Sequence, residues 1–329
     1  MFNLHSTMQS KWFSSIFFVT ILTIVLTSAT NTFETISDDD LVDRIKSNEF
    51  VIVFFAKKSN CVDCDKYENE LFKIRDEFRD MFPAQVVKVI DSQLVRLYSP
   101  KKEPAIVFFR HGVPLLYSGN INSDEIYQKL DQNRTPTVKE LTDDTFEHLT
   151  QAATGATTGD WLILFYNREC IDCQRLGAVW EAVGAALRNR VNVARVDKDF
   201  RGIKTAKRFG VQKAPEFIFI RQGNFYRYDI PKYDIKSFVS FAQEFYRNAR
   251  AEKIKAPASP FDELVASIVM YIKSYQANGI NNLINDNTYL LPAITVIGFI
   301  LFILVLKCCL RFRKSGDEQK KKEKSKKSK

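Results

Sequence analysis

Two short stretches of the chain carry cysteines at matched spacing, Cys61-Val62-Asp63-Cys64 and Cys170-Ile171-Asp172-Cys173. Sulfurs at i and i+3 suit three chemistries. Reduced, they are a dithiol that trades electrons with a disulfide, one thiolate attacking and the other resolving. Deprotonated together, they make half of a tetrahedral metal site. Permanently oxidised, they are a short structural cross-link. The metal reading fits worst, because a ribbon built from two such pairs sets them about 15–20 residues apart, whereas a whole run of strand and helix signals separates Cys64 from Cys170. The three histidines, His5, His111 and His148, lie near neither pair. No metal and no cofactor is therefore expected, and a cysteine protease lacks a histidine placed to activate its thiol. Spacing alone leaves dithiol and cross-link both open.

An attacking sulfur needs exposure and a stabilised anion, which the free N–H groups at a helix N-terminus provide. The neighbouring elements supply that setting twice, over residues 31–134 and again over 135–255. A polar-capped helical segment comes first, "SDDDLVDRIKS" or "TDDTFEHLTQ". A strand follows, "FVIVFFA" or "DWLILFY", apolar nearly throughout as buried central strands are. Each Cys pair then opens a helical stretch. Leu71, Ile74 and Phe78 share one face of the first, Leu176, Trp180 and Val183 one face of the second. A second strand, "QVVKVID" or "VNVARVD", leads to a Pro-led strand, "EPAIVFF" or "APEFIFI", and to a closing amphipathic helix. This alternation predicts an α/β fold with a largely parallel central sheet, present twice. A length of 329 residues accommodates two such domains, each of roughly 100 to 150 residues.

The order of parts and the residues together resemble the thioredoxin fold. Two such domains joined to one membrane span resemble the thioredoxin-related transmembrane proteins of the protein disulfide isomerase family. The second domain is the closer match, through "VNVARVDKDFRGIKTAKRFGVQKAPEFIFIRQGNFYRYDIP" with its strand, "RFGV" turn, Pro and hairpin. The resemblance implies that Pro215, and Pro104 in the first domain, are in cis and line a substrate groove beside the Cys pairs. With the helix-start placement it assigns attack to Cys61 and Cys170 and resolution to Cys64 and Cys173.

The motif also departs from the family. Catalysts of the isomerase kind carry Trp-Cys-Gly-His-Cys, whereas Asn60 and Glu169 stand here at the Trp, with Val62-Asp63 and Ile171-Asp172 between the sulfurs. A carboxylate touching the pair opposes thiolate formation and draws the couple toward roughly −270 mV. The family's buried strand acid is replaced by Leu164, and by Val53 in the first domain, leaving the resolving thiol without an internal proton acceptor. The first domain has two extra residues before Cys61, and Glu103 precedes Pro104. The expected function is a thiol–disulfide oxidoreductase or isomerase that meets folding client proteins through mixed disulfides. The alternative is a non-catalytic, membrane-tethered chaperone or escort that grips clients in thioredoxin-like grooves. No regenerating redox partner can be named.

The ends point to a membrane. Lys11 precedes "WFSSIFFVTILTIVLTSA", which closes on the small residues of a cleavage site, so residues 1–29 read as a signal peptide. Residues 256–288 read as a stalk, with Leu264, Ile268 and Tyr271 on one side. Residues 289–309 read as one transmembrane helix, built on the uncharged stretch Tyr289 to Leu306. Lys307, Arg311, Arg313 and Lys314 follow at once and place the basic tail, 310–329, in the cytosol and the two domains in the lumen. Lys326 and Lys327 resemble a dilysine retrieval signal of the endoplasmic reticulum. Asn133-Arg134-Thr135 is a glycosylation sequon that suits a lumenal body, and Cys308 and Cys309 are placed for palmitoylation. The net charge of +9 does not indicate nucleic acid. Eleven Lys or Arg against three acids fall between 307 and 329, leaving the folded body near neutral.

Overall fold

The computed structural model describes residues 33–101, 103–155, 158–278, 292–293, 295–304 and 307. The leader at 1–29 and the tail at 310–329 lie outside them. The chain forms two compact units that divide after Pro257.

The first unit holds two sheets. The elements of the first are β1 (Glu34–Thr35), α1 (Asp38–Ser47), β2 (Phe50–Ala56), α2 (Cys64–Lys73), α3 (Arg75–Met81), β3 (Gln85–Ile90), α4 (Val95–Tyr98), β4 (Ala105–Arg110), β5 (Val113–Leu116) and α5 (Ser123–Gln132). The second comprises β6 (Lys139–Leu141), α6 (Asp143–Thr150), β7 (Trp161–Tyr166), α7 (Ile171–Ala186), β8 (Asn192–Asp197), α8 (Ile203–Arg208), β9 (Glu216–Arg221), β10 (Asn224–Arg227), α9 (Ile235–Gln243) and β11 (Ala251–Lys253). Strand orders are β1-β3-β2-β4-β5 and β11-β10-β9-β7-β8-β6. The apolar runs form the centre as expected, β2 being buried along its whole length.

Two expectations are corrected. The sheets are mixed rather than largely parallel. β1, β2 and β3 run parallel, as do β6, β7 and β8, while β4 and β9 are antiparallel to β2 and β7. The Pro-led strand and its successor are joined by His111-Gly112 or Gln222-Gly223, all four at positive φ. Such a two-residue turn returns the chain antiparallel. The helix after Cys64 is also not continuous. It breaks at buried Ile74, whose N–H turns to the Leu71 carbonyl, three residues back. That tightened turn re-aims the chain, so that Leu71, Ile74 and Phe78 all still reach the core.

One hydrophobic cluster crosses between the halves, and a second lies wholly within the second half. The shared cluster contains Leu115 and Leu116 of β5 together with Leu176, Val179 and Val183 of α7. α7 lies against β5 and α4, which explains why it is buried nearly all round rather than along one stripe. At the seam Arg110, fully buried at the end of β4, donates from Nη2 to Glu181 Oε2 of α7 at 3.0 Å. Its Nη1 donates to the Asn133 carbonyl at 3.0 Å, and the same Glu181 oxygen accepts the Thr137 N–H at 3.2 Å. The connecting segment is thus stitched to both partners. Burial pushes the Arg110 guanidinium down from its ordinary range, and the Glu181 carboxylate opposes that shift. A Cβ at Gly184 would stand 3.0 Å from Thr137 Oγ1, so the segment also runs close over α7.

The second unit contains α10 (Pro260–Asn278), on which Leu264, Ile268 and Tyr271 are exposed. Residues 295–304 are helical and apolar, but among the described residues no helix is long and apolar enough to cross a membrane. Of the rest of the 289–309 stretch, Pro292, Ala293 and Lys307 are described and the other residues lie outside.

Removing one member of a buried ion pair strands the other. Arg110→Met is expected to lower unfolding stability by about 3–5 kcal/mol, and Arg110→Met combined with Glu181→Leu by markedly less. Urea unfolding of the three chains checks this.

Candidate active site

The second Cys pair sits where a buried strand hands over to a helix. β7 ends at Tyr166, whose carbonyl accepts the Lys198 N–H at 2.9 Å. Residues 167–169 are then tied down by the end of β8. Asn167 Nδ2 donates to Asp199 Oδ2 and Arg168 Nε to buried Asp197 Oδ2, each at 3.0 Å. Gln174 reaches back to the Arg168 carbonyl, also at 3.0 Å. This fixed loop delivers Cys170 as the N-cap of α7, and its sulfur accepts the Cys173 N–H at 3.0 Å. Cys170 and Cys173 are joined in a disulfide with Cα atoms 5.1 Å apart. Cys170 is half-buried and Cys173 buried, so the outer sulfur is the one a visiting molecule meets. Asp172, expected against the sulfur pair, is exposed and engaged by Arg175 at 3.2 Å.

The first pair is built differently. Cys61 and Cys64 are also disulfide-bonded, with Cα atoms 5.4 Å apart, but α2 begins only at Cys64, after an N-cap Asp63 that makes no side-chain cap bond. Among the described residues no N–H reaches the Cys61 sulfur. Sheet register gives the reason. Phe55 pairs with Ala105 and Phe165 with Glu216, each partner directly following its proline. Five residues then separate Phe55 from Cys61, and four separate Phe165 from Cys170. Relative to the second half the insertion is one residue, absorbed with Asn60 in the left-handed region at φ 58°, which Asn tolerates better than most side chains. Val62 is 96% exposed at the tip of this loop.

The peptides Glu103–Pro104 and Ala214–Pro215 are both cis. They lead β4 and β9, the strands beside β2 and β7. The same register identifies the strand position without an acid. Leu164 pairs with Phe217, two residues past Pro215, and its equivalent is Phe54, which pairs with Ile106, two past Pro104. Phe54 therefore replaces Val53 as the counterpart, and both positions are buried and apolar. Asn133, the asparagine of the sequon, ends α5. Its side chain is buried, Nδ2 donates to the Lys129 carbonyl at 2.7 Å, and Oδ1 accepts from Arg188 at 2.8 Å.

A half-buried charge pair under the first site was not identified from the sequence. Lys88 of β3 pairs in register with Phe54, and its Nζ donates to Glu68 Oε2 of α2 at 2.6 Å. The signal was present, since Glu68 stands four residues after Cys64 and Lys88 interrupts "VVKVI". After mild reduction, alkylation is expected to modify Cys61 and Cys170 before Cys64 and Cys173. Cys170 should react several-fold faster than Cys61 at neutral pH, because only its sulfur receives a helix N–H. Peptide mapping of partially labelled protein reads both orders.

The thioredoxin family model matches residues 137–241, the half that contains the Cys170 site. A thioredoxin domain-containing protein of Theileria parva is 32% identical over 161 residues, which cover 48% of this chain and 73% of that protein. The DnaJ homolog subfamily C member 10 of Rattus norvegicus is 27% identical over 146 residues, 44% of this chain but only 18% of that protein. Among solved structures, full-length ERdj5 aligns at a TM-score of 0.38 and 21% identity over 66% of this chain and 32% of its own. Zinc-bound human ERp44 aligns at 0.31 and 15%, over 65% and 57%. With a mixed sheet in each half, a Cys-x-x-Cys pair after the central strand and a relative matched over most of its length, the chain belongs to the thioredoxin-domain proteins.

Proposed function

We propose that the chain is a thiol–disulfide oxidoreductase or isomerase that acts on folding client proteins in the lumen of the endoplasmic reticulum, anchored by a single span. The observation that carries the exchange chemistry is the Cys170 sulfur. It caps a helix, accepts the Cys173 N–H and is the more exposed sulfur of its disulfide. When that bond is opened, the same N–H is placed to stabilise a Cys170 thiolate, while Cys173 waits beneath it to resolve a mixed disulfide. Cys61 and Cys64 form a second pair of the same design with less help at the attacking sulfur. Pro104 and Pro215, leading the neighbouring strands, are the proposed client groove. The membrane and compartment part of the proposal rests on the leader at 1–29, on the uncharged stretch from Tyr289 to Leu306, and on the basic residues and dilysine ending behind it.

A resolving-cysteine variant separates exchange from passive grip. Full-length Cys173→Ala, incubated with a reductively unfolded and re-oxidised secretory protein, is expected to accumulate thiol-sensitive adducts at Cys170 that the Cys170→Ala/Cys173→Ala chain does not form. Non-reducing electrophoresis with peptide mapping reads them. A chain that binds the client but never yields a Cys170 adduct would instead be a tethered chaperone or escort.

A further inference from the structure

The two halves do not carry the same parts beneath their sulfurs. On α2 the inward-facing residues are Cys64, Tyr67, Glu68 and Leu71, and positions i and i+4 lie one above the other on a helix face. Glu68 thus sits one turn below Cys64, on the side that faces the sheet. Its Oε2 is held by Lys88, and its Oε1 is buried with no hydrogen-bond partner. The layer is closed by Phe54, with the Tyr67 ring stacked at 6.2 Å and the Lys88 ammonium 6.0 Å from the ring centroid. Burial, and secondarily the Asp63 charge, push the Tyr67 hydroxyl above its ordinary pKa, which leaves Glu68 as the group of this layer suited to take a proton.

The second half has no equivalent. Four residues after Cys173 stands Gly177, and a Cβ there would meet nothing within 4 Å. Arg195, which pairs with Leu164 as Lys88 pairs with Phe54, turns instead to Glu140 on the edge strand β6. The register equivalent of Glu140 in the first sheet is Thr35, which bears no charge. In one half the carboxylate has moved from edge strand to active-site helix.

We propose that Glu68 is the proton acceptor for the resolving thiol of the first site, supplied from the helix where the strand position holds Phe54. This rests on the exchange reading of Cys61 and Cys64. With a client sulfur bonded to Cys61, Cys64 S–H gives its proton to the Glu68 carboxylate and the Cys64 thiolate attacks the Cys61 sulfur. The Cys61–Cys64 bond forms, the bond from Cys61 to the client breaks, and the client leaves as a thiolate carrying both electrons. Lys88 acts as a positioning residue, fixing one carboxylate oxygen so that the other is free. The halves are then complementary, the second favouring attack and the first resolution.

The test uses the full chain with Cys170→Ser and Cys173→Ser, reduced and mixed with glutathione disulfide, quenched by acid at intervals and read by mass. Glu68→Gln keeps an oxygen for Lys88 but cannot take the proton. It is expected to form the glutathione adduct at Cys61 at the parent rate yet close the Cys61–Cys64 disulfide at least about tenfold more slowly, so that the adduct accumulates. Glu68→Asp, which retains a carboxylate, should close faster than Glu68→Gln. Closure in Glu68→Gln as fast as in the parent, without accumulation, overturns the assignment. A reduced pair that glutathione disulfide leaves untouched in both chains overturns the exchange reading of this site, and the assignment with it.

Discussion

One buried ion pair, Arg110 with Glu181, constrains the seam where two thioredoxin-like halves form a single compact unit. A guanidinium out of water needs partners for its donors; here Nη1 and Nη2 find them in carbonyls of the segment between and in a carboxylate from the other half, while Nε is buried without one. The glutamate is met in turn by the Thr137 N–H. Around that pair one hydrophobic cluster spans both halves, while a second lies wholly within the second half. α7, covered by its own sheet on one side and by β5 and α4 on another, has little polar face to spare.

That arrangement reaches the chemistry because α7 carries both the seam and a dithiol. Glu181 lies two turns beyond Cys173 on the same helix. A helix clamped at its middle and tied at its start, through Asn167 and Arg168 to the end of β8, holds its first N–H groups in fixed positions. Preorganised donors stabilise an anion without reorganising to do so. In the first site α2 breaks at Ile74 and is tied by Glu70, whose Oε2 accepts the Ser123 N–H at 2.9 Å. That site has a charge pair under its inner sulfur. On the proposed exchange reading, the two sites support different steps of one reaction.

The repeat of strand, Cys pair, helix, strand, Pro-led strand and helix was legible because each signal is local. Apolar runs, i and i+3 sulfurs, and Pro before a strand are written in neighbouring residues. The break at Ile74 was not, because Leu71, Ile74 and Phe78 fit one uninterrupted helix as well as two short ones. The surroundings of the sequon at Asn133 were hidden for a related reason. Its three letters carry no record that the asparagine ends α5 at the seam, with its amide already spent on Lys129 and Arg188.

The sequence by itself determined the type of each half and the identity of its sulfurs, because periodicity and short spacing are properties of adjacent residues. It also carried the apolar and basic signals at its two ends. Only the tertiary structure decided which residues stand opposite one another: Phe54 rather than Val53 as the counterpart of Leu164, Glu68 with Lys88 under one site, and Gly177 with open space under the other. Those pairings depend on strand register and on helices crossing between the halves. They are long-range contacts, and no local pattern encodes them.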